Sequence, residues 1–142
     1  MRSVLGSNTE DSTDGRSPKI KFLRNVAEVR RGGIYMFYLS NLVSDNTYRK
    51  VPNQYVVEVG SKRFFQSYES LCACIEYSAE QARWILTLSD KYNYSKTTSK
   101  WFWNFLRNFG TTTYCDLTKK ELDKMIKSGE VKIVSERELR EV

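Results

Sequence analysis

Hydrophobic and polar positions alternate with a period of two in the middle of the chain. Tyr55, Val57 and Val59 interleave with Val56 and Glu58, and Gln54–Val59 and Arg63–Tyr68 flank Gly60-Ser61-Lys62. Alternation on both sides of a glycine turn predicts a β-hairpin. Leu71–Tyr77 and Trp84–Leu88 flank Ser78–Arg83 and predict a second one. Ala79, Glu80, Gln81 and Ala82 favour a helical twist in that turn, so its boundaries are soft. Ile34–Leu39 is a short aromatic run after Gly32-Gly33. It suits a buried strand, although periodicity alone does not separate this from a helical segment. Ser40–Asn53, with Asn41, Asp45-Asn46 and Pro52-Asn53, reads as a loop.

The period then lengthens. Trp101, Phe105 and Phe109 recur every four residues and are joined by Phe102 and Leu106, so a helix over 98–109 buries one face and stops at Gly110. Thr118 and Glu121 form a capping box for a second helix over 118–128. In it Leu122, Met125 and Ile126 face inward, and Ser128-Gly129 ends it. Val131–Val134 predicts a last strand, and Glu136–Val142 a charged, fraying end. Near the other terminus, Ser17-Pro18 is a helix-start signal. Ile20, Phe22, Leu23, Val26, Ala27 and Val29 fall on one half of a helical wheel, with Lys21, Arg24, Asn25 and Glu28 on the other. A strand at Lys19–Leu23 competes with that helix.

These elements predict an α+β fold. A small antiparallel sheet of two hairpins packs with two C-terminal helices, and an N-terminal amphipathic basic helix is added to it. Residues 1–17 are small, polar and acidic and predict a disordered tail. Residues 18–33 form the basic helix and 34–142 a single domain, which the length of 142 residues accommodates.

Composition narrows the function. The chain contains no histidine. A histidine general base, a Ser-His or Cys-His pair and a His-ligated metal centre are therefore excluded. The carboxylates show no D-x-D or EF-hand spacing, so the chain reads as non-catalytic, with no cofactor. Cys72, Cys74 and Cys115 are an odd set for a secreted disulfide framework and too few for a four-thiolate zinc site. On a regular strand Cys72 and Cys74 share one face, and all three read as free structural thiols. The longest strongly apolar run, Ile34–Leu39, is far below the ~20 residues of a membrane span. Met1–Pro18 holds Glu10, Asp11 and Asp14 without an apolar core, so no signal peptide is expected. A soluble cytoplasmic protein is the expectation.

Charge points to a partner. The net charge is +6, and residues 1–66 hold eleven basic residues against six acidic ones. Residues 111–142 hold seven of each. Lys21, Arg24, Arg30, Arg31, Arg49, Lys50, Lys62 and Arg63 are the candidate phosphate contacts, though each local cluster alone also suits a solvated surface. On the helix over 98–109, Trp103 lies about 60° beyond Leu106, with Lys100 and Arg107 beside it. That face suits base stacking or a protein anchor, and burial of Trp103 in the core is the alternative. The run Tyr92–Lys100, rich in hydroxyls and amines, suits either a helix cap or a phosphate site at a helix start. The candidate partner is a nucleic acid or an acidic host protein.

Three short runs occur in order: Pro52-Asn53-Gln54-Tyr55-Val56-Val57-Glu58, Phe65-Gln66-Ser67-Tyr68-Glu69-Ser70-Leu71 and Tyr94-Ser95-Lys96-Thr97-Thr98-Ser99-Lys100. The set resembles a family of small uncharacterised proteins of tailed bacteriophages and related mobile elements, with the pattern N-Q-Y, F-Q-S-Y, Y-S-x-T-T-x-K. The resemblance implies a phage-type origin and brings no functional residue with it. The chain departs from that family at Ser78–Arg83, where a glycine-containing turn is expected. The reading is a small phage accessory binding protein acting on nucleic acid or nucleic-acid machinery. A protein-directed inhibitor of a host process, a defence system included, and a minor virion component are the alternatives.

Overall fold

A computed structural model describes residues 37–141. The segments expected to be a disordered tail (1–17) and a basic helix (18–33) lie outside them. Within them the fold is α+β. Five strands form one continuous antiparallel meander: β1 (Phe37–Val43), β2 (Lys50–Val59), β3 (Lys62–Ser67), β4 (Ser70–Ser78) and β5 (Arg83–Ser89). The chain then forms α1 (Lys96–Phe109), α2 (Thr111–Tyr114) and α3 (Lys119–Ser128) before β6 (Lys132–Val134) joins β5 in parallel. A short helix, α4 (Glu136–Arg140), follows.

The two expected hairpins are therefore parts of a six-stranded sheet. The stretch over 40–53 is not a loop but holds the end of β1 and the start of β2, leaving only the turn between them. Pro52 and Asn53 mislead because they sit in an irregularity of the β1–β2 ladder: Asn41 opposes Tyr55, and Val43 opposes Lys50. A bulge tolerates a proline without an N–H and the positive φ of 65° at Asn53.

A second bulge corrects the cysteine reading. Phe65 opposes Ala73 while Gln66 opposes Leu71, so Cys72 is the extra residue on β4. Cys72 consequently packs in the core beneath the helices, and Cys74 packs on the opposite face of the sheet. Burial pushes the Cys72 thiol up to about 12 and raises that of Cys74 as well.

The helices cover one face. Phe102, Phe105 and Leu106 of α1, Tyr114 of α2 and Leu122 of α3 meet Val56, Phe65, Ala73, Ile75, Leu86 and Leu88. The Phe65 and Phe105 rings stack with centroids 5.4 Å apart. Burial of each large apolar side chain here contributes roughly 1.5–3 kcal/mol. The other face buries Leu39, Val57, Val59, Phe64 and Leu71 together with Leu139 of α4. The charged C-terminal run is thus a helix instead of a fraying end. Ser135 caps it at Glu138 N–H, and Glu136 accepts from Leu71 N–H at 2.7 Å. A single inward apolar residue, Leu139, gives no periodicity to read. No helix among the described residues is long and apolar enough to cross a membrane.

Helix ends follow local chemistry. Ser95 caps α1 through Thr98 N–H, the Thr118–Glu121 capping box starts α3, and Gly129 ends α3 with φ 85°. Gly110 ends α1 differently. Its φ is −76°, and glycine is needed because a Cβ there would overlap the Leu106 carbonyl oxygen.

Candidate nucleic-acid interface

Strand direction sorts the connections into two ends. The turns after β2 and β4 lie at one end of the sheet. The β1–β2 turn, the Tyr68-Glu69 turn and the loop after β5 lie at the other. This second end also receives the start of α1.

Three tyrosines stand out there. Tyr48 is 83% exposed, Tyr94 67% and Tyr68 53%. Tyr48 and Tyr68 have φ of 57° and 54°, in the left-handed region. That conformation costs a non-glycine residue roughly 1–2 kcal/mol, so glycine or asparagine would serve the backbone better.

All three loops are tied to α1 or to its start. In the first, Ser44 N–H donates to Arg49 O and Tyr48 N–H to Ser44 O, both at 2.9 Å. Buried Asn104 of α1 donates to Val43 O at 2.8 Å and accepts from Asp45 N–H at 2.9 Å. Arg107 and Asn108 hold the Asp45 carboxylate at 2.5 and 2.7 Å. Burial raises the Asp45 pKa, but these two hydrogen bonds and the Arg107 charge outweigh it, and the net shift is downward. In the second loop, Tyr68 N–H donates to Asn53 O at 2.7 Å, and Gln66 Nε2 donates to Tyr68 O at 2.8 Å. Ser67 Oγ lies 3.0 Å from Thr98 Oγ1, which accepts from the capping Ser95 hydroxyl at 3.1 Å. The three short motifs therefore meet at this end of the sheet. In the third loop, Lys91 N–H donates to Ser89 Oγ at 3.1 Å and Lys91 O accepts from the Cys72 thiol at 3.6 Å.

The segment that follows Asp90 carries charge of one sign. Residues 91–115 carry Lys91, Lys96, Lys100 and Arg107 and no acidic residue. Lys91 Nζ lies 5.6 Å from the Tyr94 ring centroid, and Lys100 Nζ lies 4.6 Å from that of Trp101. Cations near aromatic faces form a surface suited to anionic, π-rich ligands.

The candidates from the sequence fare unequally. Lys21, Arg24, Arg30 and Arg31 lie outside the described residues. Arg49 and Lys50 are exposed beside Tyr48. Lys62 and Arg63 belong to the far end and point to opposite faces: Lys62 pairs with Glu76 at 3.8 Å. Arg63 pairs with Glu58 at 3.8 Å, donates to Phe109 O at 3.2 Å and lies 5.0 Å from the Trp84 ring. Trp103 is half-buried and meets Phe102 edge-on at 5.2 Å. Lys100 lies over Trp101, and Arg107 faces Asp45, so neither flanks Trp103 as a free cation. Sequence reading missed Tyr48, Tyr68 and Lys91, and held Tyr94 and Lys96 only as members of the run 92–100. The acid-free run after Asp90 was the available signal.

No curated protein and no solved structure matches the chain. Its residues 26–124 match the model of a family of unknown function, DUF8033, a span that covers the tyrosine loops and all of α1. Since that match takes in most of the chain, the protein belongs to the DUF8033 family.

Proposed function

We propose that the protein is a small non-catalytic accessory binding protein of phage-type origin, acting on nucleic acid or on nucleic-acid machinery in the host cytoplasm. The observation that carries this reading is the acid-free segment 91–115, whose Lys91 and Lys100 lie close to aromatic rings. Cations supply phosphate attraction, and rings supply a surface for bases. The absence of histidine supports the non-catalytic part. Binding of single-stranded and duplex DNA and RNA, measured at low and raised salt, tests it. Affinity should fall as salt rises, because each phosphate contact releases counterions. No binding to any nucleic acid at low salt would overturn the nucleic-acid form.

A second reading is a protein-directed inhibitor of a host process. The exposure of Tyr48 favours it, since tyrosine is enriched at protein interfaces. Affinity capture from nuclease-treated host lysate separates the two. A stable, stoichiometric host protein that persists after nuclease treatment is the result expected of an inhibitor.

A further inference from the structure

We infer that the tyrosine end of the molecule is a binding surface for single-stranded nucleic acid, with bases stacked on Tyr48, Tyr68 and Tyr94 and phosphates met by Lys91, Lys96 and Lys100. The inference rests on the nucleic-acid reading above and goes further by naming the strand state and the stacking residues.

Four observations carry it. The rings project from three separate loops at one end of the sheet, and each loop is anchored by its own hydrogen bonds. Two of the tyrosines occupy backbone positions that favour glycine or asparagine, so the side chain itself is the reason for the residue. Their sequence neighbours are polar: Thr47 and Arg49, Ser67 and Glu69, Asn93 and Ser95. A protein hot spot sits within a desolvated apolar patch, whereas isolated rings among polar groups suit bases bound one at a time. Finally, this end carries Arg49, Lys50, Lys91, Lys96 and Lys100; of its acids Asp45, Glu69, Asp90 and Glu136, Asp45 is held by Arg107 and Glu136 accepts from Leu71 N–H, while Asp123 of α3 lies close enough to act on Tyr92. A duplex keeps its base faces stacked inside, so exposed rings gain nothing from it except at its ends. A single strand offers those faces.

The test compares a labelled oligothymidylate with a blunt duplex of equal length, using the full chain, at low and raised salt. The single strand should bind more tightly. Tyr68→Asn, which suits the left-handed backbone, and Tyr94→Ala should each weaken single-strand binding about tenfold while leaving the salt dependence unchanged. Lys96→Gln with Lys100→Gln should instead flatten the salt dependence, by about 0.7 per lost phosphate contact in the log–log slope. Photo-crosslinking of the unaltered protein to a halogenated-uracil strand should place the adducts on Tyr48, Tyr68 or Tyr94. Equal binding of duplex and single strand, or tyrosine variants that bind like the parent, overturns the stacking inference and leaves phosphate binding standing. Adducts confined to other residues overturn it as well. No binding of either nucleic acid at low salt overturns this inference together with the nucleic-acid form of the functional reading.

Discussion

The two ends of the sheet use the same structural means differently. At the β2–β3 and β4–β5 end, glycine takes one left-handed position, Gly60, with nothing near the Cβ it lacks, and Ala82 takes another. The cations there face carboxylates: Lys62 with Glu76, Arg63 with Glu58, and Arg83 with Glu130 at 4.0 Å. At the opposite end, Tyr48 and Tyr68 take left-handed positions, with Asn53 in a third, and Lys91 and Lys100 lie near rings. A turn that exists only to reverse the chain is best served by a small residue. A turn that places an exposed Tyr in a disfavoured conformation serves the side chain. Lys62, Arg63 and Arg83 at the first end each have a carboxylate partner, Arg63 lying over Trp84 as well, whereas at the second end Arg107 pairs with Asp45 and two lysines lie by rings. This bias accords with one end closing the fold and the other presenting a surface.

The most damaging change at the presenting end should be Asn104→Ala. It leaves Val43 C=O and Asp45 N–H without partners at a buried site, which costs about 2–4 kcal/mol together. Tm should fall accordingly, and hydrogen exchange should rise across 44–49 before it rises in β3 and β4. Uniform exchange across the sheet would show that the loop is not a separately anchored unit.

At the closing end, Arg63→Ala should cost about 1–3 kcal/mol, because it removes the Phe109 carbonyl contact, the Trp84 stacking and the Glu58 pair together. Nucleic-acid affinity should stay unchanged under conditions where the variant is folded. A severalfold loss of affinity with intact near-UV circular dichroism would erase the distinction between the ends.

These two residues also show what was legible in the sequence. Arg63 was found as a basic residue, yet its partners are Phe109 and Trp84, distant in sequence, so its structural role was hidden. The capping box at Thr118–Glu121 and the α1 face were legible because all the participants lie within one or two helical turns. The Cys72 bulge was not, since strand register is decided by the neighbouring strand and not by the residue that slips. For the same reason Pro52-Asn53 read as a loop. Asn104 and Asp45 lie 59 residues apart, and nothing local marks them as partners. The tyrosine surface was obscured because Tyr68 read as the end of a strand and Tyr94 as part of a helix-start run. Exposure is a property of the assembled molecule.

A smaller effect, of opposite sign, is expected at Tyr68. Tyr68→Gly removes the left-handed penalty, and the gain is reduced by glycine's greater freedom in the unfolded chain. The net should be a rise of up to about 1 kcal/mol in unfolding free energy, read from the urea midpoint, together with weaker single-strand binding. Stability and binding would then move in opposite directions at one residue. A loss of stability would mean that the ring supports the fold, and the contrast with Gly60 would fail.

The smallest effect concerns Asp45, and its direction follows from its lowered pKa. A carboxylate with a folded-state pKa below its unfolded value stabilises the protein above the unfolded value, near 4, and that contribution disappears as pH falls through the folded one. The Arg107 partner is more than half exposed, so the pair contributes only about 0.5 kcal/mol at neutral pH. Asp45→Asn keeps a polar side chain beside Asn108 but removes the charge. The variant should be slightly less stable than the parent at pH 7, and the gap between their urea midpoints should close as the pH drops below about 4. A gap that persists at low pH would assign the role of Asp45 to loop packing and not to its charge. The presenting end would then be held by the geometry of its hydrogen bonds, those of Asn104, Arg107 and Asn108 to the 43–45 segment, and not by the charge of the pair.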